Sequence, residues 1–161
     1  MSEEQTKQAK ELEQSGKYLA FYVAEQLYCI HIDRVTEIIG VSHMTVVPSA
    51  PHYVKGIINV RGIAIPLIDV NLRLGYPEKE YTERTCIIVV SLEDECVGFI
   101  VDAVDDVIDI LMSQINPLPE VNAKSSEKFL EGMAVLKEKT ILVMSSDEVI
   151  GVGDFIDEDD E

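Results

Sequence analysis

The 161-residue chain has no tryptophan, three cysteines, and only fifteen glycines and prolines together. Cys29, Cys86 and Cys96 are odd in number, widely spaced and without a CxxC pair. That argues against a disulfide framework and against a structural zinc or dithiol site; buried, reduced thiols are the simpler expectation. Basic residues are also scarce, 13 Lys and Arg against 30 Asp and Glu, for a net charge of −17. Neutralising phosphates takes Lys and Arg, so nucleic acid and anionic membrane surfaces are disfavoured as partners. Long hydrophobic runs are missing. Runs such as Ile63 to Ile68 fall far short of the ~18 residues a membrane helix needs. The opening MSEEQTKQAK has no apolar stretch that would make it a secretory signal. These absences together predict a cytoplasmic chain with no direct membrane insertion. At 47% hydrophobic residues it is too apolar to be disordered as a whole. Its length suits one domain, or two very small ones sharing a core, with no need of metal or disulfide staples.

Signatures of catalysis are equally absent. There is no HExxH, no GxSxG elbow and no GxxxxGK[ST] loop. Gly151-Val152-Gly153 is too short to cradle a phosphate and runs into Asp154. His31, His43 and His52 share no metal spacing; they read as one strand histidine and two surface ones. Asp105-Asp106 and the run Asp157 to Glu161 lack the DxDxDG pattern of a calcium loop, and a solvated face accounts for both. No catalytic residue, metal or cofactor is expected.

What is present is alternation. Leu19, Phe21 and Val23 alternate with Tyr18, Ala20 and Tyr22, and Leu27 to Ile32 repeats the habit after a turn at Glu25-Gln26. Cys86 to Leu92 and Val97 to Val101 form a second such pair around Glu93-Asp94-Glu95. Both faces of these strands are largely apolar, as in strands buried in closed barrels. The two halves also match each other. At an offset of 69, Tyr18 to Pro48 aligns with Ile87 to Pro117, setting Asp33, Val35, Ile39 and Pro48 on Asp102, Val104, Ile108 and Pro117. A seven-residue insertion before Phe129 moves the offset to 76, setting Tyr53, Gly56, Ile65 and Gly75 on Phe129, Gly132, Ile141 and Gly151. Matched Asp, Pro and Gly carry more weight than matched hydrophobics, because each has its own backbone role. The expectation is a tandem duplication: a flexible arm over 1–16, repeats over about 17–81 and 82–153, and an acidic tail over 154–161. Within each repeat a hairpin leads to a short helical turn capped by Asp33 or Asp102. A strand pair follows (Tyr53 to Val60 with Ile63 to Ile68; Phe129 to Leu136 with Thr140 to Met144), then a short helix ending at Gly75 or Gly151. About five short strands per repeat is the size of a small barrel.

Two segments hold candidate functional residues. Gly56 and Gly62 bracket a strand ending at Arg61, so the Arg61 guanidinium stands at a hairpin tip. There it either caps its own strand end or reaches a partner's carboxylate or carbonyls. In Asp33-Arg34-Val35-Thr36-Glu37-Ile38-Ile39 the apolar residues cannot all turn inward on one short turn. They either complete the core or leave surface for a partner.

These residues carry a resemblance to the CheW family of bacterial chemotaxis coupling proteins, over about residues 17–152. It rests on Asp33-Arg34-Val35-Thr36-Glu37-Ile38-Ile39-Gly40, Val47-Pro48, Gly56-Ile57-Ile58-Asn59-Val60-Arg61-Gly62 through Pro66 to Asp69, and Phe99-Ile100-Val101-Asp102 with Val104 and Val107. Val60 stands where the family usually has leucine, a conservative departure. The resemblance implies a mainly β fold of two SH3-like β-barrels that exchange N-terminal strands, plus short helices. It implies no catalysis and no cofactor, but an adaptor between the cytoplasmic tips of methyl-accepting chemoreceptors and the regulatory domain of the histidine kinase CheA, working at receptor arrays. Val35, Glu37, Ile38 and Arg61 fall where the family places receptor contact and coupling. Gly56, Ile57 and Asn59, with Gly62 at the turn, shape the same groove. The kinase-facing surface is left at the exposed edges of the barrels. A CheW-like module of a CheV-type regulator, or of a non-chemotactic chemosensory pathway, is the alternative; 161 residues leave no room for an added receiver domain. A small β-barrel enzyme or nucleotide binder is a third reading, weakened by the missing motifs.

Charge is distributed unevenly. Residues 1–30 carry −2, residues 31–75 carry +1, and residues 76–161 carry −16. The segment expected to couple to receptors is the nearly neutral one.

Overall fold

The structure, a computed structural model, describes residues 15–119 and 128–151. The acidic tail, most of the arm and most of the loop insertion before Phe129 lie outside the described residues. Ten strands follow in order: β1 (Ser15–Val23), β2 (Gln26–His31), β3 (Val35–Gly40), β4 (Val54–Val60), β5 (Ile63–Asp69), β6 (Cys86–Leu92), β7 (Glu95–Val101), β8 (Ala103–Leu111), β9 (Leu130–Leu136) and β10 (Lys139–Met144). Two short helices close the repeats, α1 (Val70–Arg73) and α2 (Ser146–Ile150), and two 3-10 turns span Ile32–Arg34 and Met112–Gln114.

The hairpins are exchanged. One five-stranded sheet runs β3-β6-β7-β5-β4, and the other runs β8-β1-β2-β10-β9. Each barrel therefore takes three strands from one repeat and its central hairpin from the other. The incoming hairpins dock by parallel pairing, β7 on β5 through Leu67 to Asp69 and β2 on β10 through Tyr28 and Cys29. Each barrel closes by a single bridge, Thr45 with Ile57 in the first and Asn116 with Met133 in the second. Closure brings backbone against backbone at two glycines. A Cβ on Gly56 would meet the Thr45 carbonyl oxygen at 2.5 Å, and one on Gly132 would meet the Asn116 oxygen at 2.7 Å.

This topology explains why both faces of the hairpin strands are apolar. On β6, Ile87 and Val89 fill the first barrel, while Ile88 and Val90 point between the barrels. On β1, Tyr18 and Ala20 fill the second barrel, while Leu19, Phe21 and Val23 point between the barrels. With a period of two, every residue has a dry side to occupy. The shared cluster holds seventeen buried residues, against six and eight inside the barrels. At ~1.5–3 kcal/mol per large apolar side chain, the inter-barrel layer is the main source of stability.

Local chemistry sets the ends of the elements. Arg61 and Gly62 both have positive φ, 51° and 85°, as a two-residue type I′ hairpin turn requires. Asp69 caps α1 by accepting from the Leu72 N–H at 3.2 Å, and Ser145 caps α2 by accepting from the Glu148 N–H at 3.3 Å. Gly151 takes the left-handed conformation after α2, and Gly75 has φ +94° just past α1.

Three expectations need correction. Asp33 and Asp102 cap nothing: the 3-10 turn has His31 at its N-cap and no side-chain cap, and β7 runs into β8 across Asp102 without a helix. Val35 to Gly40 is a strand, not a turn, with every second residue exposed. The match of Pro48 with Pro117 is out of register. The quasi-equivalent bridges fall at Thr45 and Asn116, 71 residues apart rather than 69, because β8 is longer than β3 and a 3-10 turn follows it.

Candidate protein-interaction site

β3 and the β4–β5 hairpin form one rim of the first barrel. A bulge between Val35 and Glu37 resets the β3 register against β6. Glu37 then lies opposite Val89 and Ile38 opposite Ile88, so Glu37 faces the barrel interior and Ile38 the inter-barrel side. Across the seam Arg61 reaches back to Glu37 with both terminal guanidinium nitrogens, Nη1 to Oε1 at 3.3 Å and Nη2 to Oε2. This fork is bidentate, the strongest geometry open to such a pair. Hydrogen bonding to Glu37, with its charge, raises the pKa of Arg61 further. The side chain of Arg61 nonetheless stays 75% exposed, that of Glu37 25%. The hairpin tip is braced by Asn59, whose Oδ1 accepts the Gly62 N–H at 3.0 Å.

The structure thus sorts the sequence-derived residues. Glu37, Asn59, Arg61 and Gly62 converge on the rim. Gly56 and Ile57 lie in the closure beside it, where Ile57 exchanges two backbone hydrogen bonds with Thr45 at 2.8 and 2.9 Å. Val35 is half-buried against the central cluster, and Ile38 is 43% exposed on the inter-barrel face. Neither reading of Arg61 named the group it reaches, which is a carboxylate of its own chain, Glu37, 24 residues away. Sequence reasoning missed two exposed apolar neighbours, Ile63 at 58% and Val46 at 73%. Ile63 was hidden in a continuous apolar run whose inner and outer members look alike, and Val46 in a segment without period.

The second barrel presents a different rim. A cleft of about 620 Å³ is lined by the apolar Leu27, Ile108 and Ile141 together with Asp105 and Asp109 of β8 and Lys137 and Lys139 of the β9–β10 hairpin. Lys137 occupies the position of Arg61 but has no ion-pair partner among the described residues.

Polar groups elsewhere tie elements together. Asp102 accepts from the Ala24 N–H at 2.9 Å, Asn71 Nδ2 at 2.8 Å and Lys79 Nζ at 2.8 Å. Burial pushes its carboxyl up, but these three donors outweigh that and hold it below the ordinary aspartate range. Cys29 lies inside the second barrel, where burial and then Glu131 push its thiol up to about 12, the opposite of a reactive cysteine. Among the described residues no three His, Cys, Asp or Glu side chains are grouped to hold a metal. No described helix is long and apolar enough to cross a membrane.

Two fused barrels with a rim of exposed apolar and paired charged groups define a scaffold that works by protein contact. The CheW-like domain model matches residues 17–152, and the chain belongs to the CheW family of chemotaxis adaptors. It is 37% identical to the chemotaxis protein CheW of Rhizobium meliloti over 145 residues, 89% of this chain and 94% of that protein. It is 32% identical to the Bacillus subtilis CheW, over 87% and 90% of the two chains. Against CheV3 of Helicobacter pylori identity is 24%, and only 42% of that longer protein is matched. Among solved structures, the scaffolding protein TtCheW from Thermoanaerobacter tengcongensis superposes with a TM-score of 0.76 at 34% identity, covering 83% of this chain and 86% of that one.

Proposed function

We propose that this chemotaxis adaptor is non-catalytic and couples the cytoplasmic tips of methyl-accepting chemoreceptors to the regulatory domain of CheA, at receptor arrays on the inner face of the membrane. The receptor-facing residues are Val35, Glu37, Ile38, Gly56, Ile57, Asn59, Arg61 and Gly62. The observation that carries this reading is the Arg61–Glu37 fork. It holds a charged, exposed group rigid at a rim where Ile63 also meets solvent, in the one nearly neutral segment of an acidic chain. Pre-ordered groups lose less freedom on docking, so a small interface can suffice. Coupling a two-state receptor to a kinase further requires contacts whose free energy differs between the states. Arg61→Asp reverses the charge and sets two carboxylates side by side. It is expected to weaken receptor-dependent kinase activation at least tenfold in a reconstituted receptor–kinase mixture while far-UV circular dichroism stays unchanged, and, as for a charge at the rim of an interface, the loss should depend on salt. Wild-type activation by that variant refutes the assignment.

A further inference from the structure

The two repeats are related by an approximate two-fold, and one arginine breaks it. Tyr53 and Phe129 are quasi-equivalent: each is nearly fully buried. The carbonyl of each accepts, at 2.8 Å, the N–H of the residue that caps the following helix, Asp69 or Ser145. The Arg73 guanidinium carbon lies 4.1 Å from the centroid of the Tyr53 ring and 4.8 Å from that of the Phe129 ring. One cation thus serves an aromatic from each half. Its Nε donates to the Val149 carbonyl at 2.9 Å and its Nη2 to the Glu148 carbonyl at 3.4 Å. Those are among the last carbonyls of α2, which a helix end leaves without intrahelical donors. The residue at the corresponding place in the second repeat is Val149, which can make none of these contacts.

The ends of the helices are tied across the repeats as well. Asp102 of the second repeat holds Asn71 of α1, and Arg34 of the first repeat holds Asp147 of α2 at 3.5 Å. Asn71 and Asp147 are quasi-equivalent, so each helix is tied to the other repeat from the same position, though to partners that do not correspond. The inter-barrel core is apolar, and apolar burial has no preferred direction; packed layers of this kind can slide by small shear. Contacts to ring faces and to carbonyl lone pairs do have direction.

We propose that Arg73 is a positioning residue that fixes the angle between the two barrels, and with it the relation between the interaction surfaces each barrel carries. The consequence for coupling rests on the adaptor reading above, whereas the orientation itself does not. Residual dipolar couplings of the isotope-labelled full chain, without any partner, read that angle. For the wild type one alignment tensor fits the amide vectors of both sheets. For Arg73→Met, which keeps the apolar stem, the two sheets require different tensors, and exchange of the amides of Val149 in α2 and of Gly151 at its C-cap accelerates about tenfold. Arg73→Lys keeps the charge without the planar fork. It shows a smaller change in the same direction, and carries the test alone if the Met variant does not fold. A single tensor fitting both sheets in the variants, with unchanged exchange in α2, overturns the proposal. Failure to activate a kinase would overturn the adaptor reading and leave this measurement as it stands.

Discussion

Replacing Gly56 by alanine tests whether the first barrel is closed by close backbone approach. The new methyl would lie 2.5 Å from the Thr45 carbonyl oxygen, 3.1 Å from its carbon and 3.3 Å from Met44 Cγ. The nearest obstacle is backbone, so the strand and the segment across from it must part. That lengthens both bonds of the closure, Thr45 N–H to Ile57 O at 2.9 Å and Ile57 N–H to Thr45 O at 2.8 Å. Overpacking costs ~1–3 kcal/mol, and each weakened hydrogen bond up to roughly 0.5–1.5 kcal/mol. Alanine returns about 0.4–1 kcal/mol by restricting the unfolded chain. The balance is a loss of about 2–3 kcal/mol, or a fall in Tm of roughly 4–12 °C for a chain of this size. Urea and thermal unfolding followed by circular dichroism give the magnitude. Amide exchange at Thr45 and Ile57 locates it and should rise in step. Gly40→Ala is the control, because a Cβ there meets nothing within 4 Å. If Gly56→Ala melts within about 1 °C of wild type with both amides as protected as before, the closure argument is wrong.

Two further outcomes follow from the packing and the charge network. Phe99→Ala empties a fully buried site in the inter-barrel layer, with an expected loss of ~3–5 kcal/mol; probes in either barrel should report the same lowered urea midpoint, and separate midpoints would contradict the shared core. Asp102 has a depressed folded-state pKa, so its contribution is present above the unfolded value near 3.9 and disappears as pH falls through the lower folded one. Asp102→Asn should therefore flatten the acid limb of the stability curve below about pH 4. An unchanged limb in urea titrations would remove the network from the account.

How much of this was legible in the sequence depends on how local the determining interaction is. The turn at Arg61-Gly62 and the left-handed glycines after each helix are properties of one or two residues, and reading them needed only backbone chemistry. The duplication was legible because Gly56 and Gly132 meet the same steric demand. Asp102 was misread because an aspartate near a strand end has the same local pattern whether it caps a turn or accepts from Ala24, Asn71 and Lys79, which lie 78, 31 and 23 residues away. Glu37 and Arg61 were each singled out, but their pairing depends on barrel closure and on the bulge that turns Glu37 inward. The exchange of hairpins came through family resemblance alone, since strands apolar on both faces fit several arrangements.

That exchange has a consequence for how the chain is made. Neither barrel is complete until sequence from the other repeat has left the ribosome. The first needs the chain as far as Val101 and the second keeps β1 and β2 waiting until β10. The first half cannot finish folding during its own synthesis, and an early stop anywhere in the second repeat leaves a hairpin of exposed apolar strand seeking a neighbour. A chain holding a single repeat would find its missing hairpin only on another copy of itself, so the fused repeat is, in effect, a swapped dimer whose two partners can no longer be diluted apart.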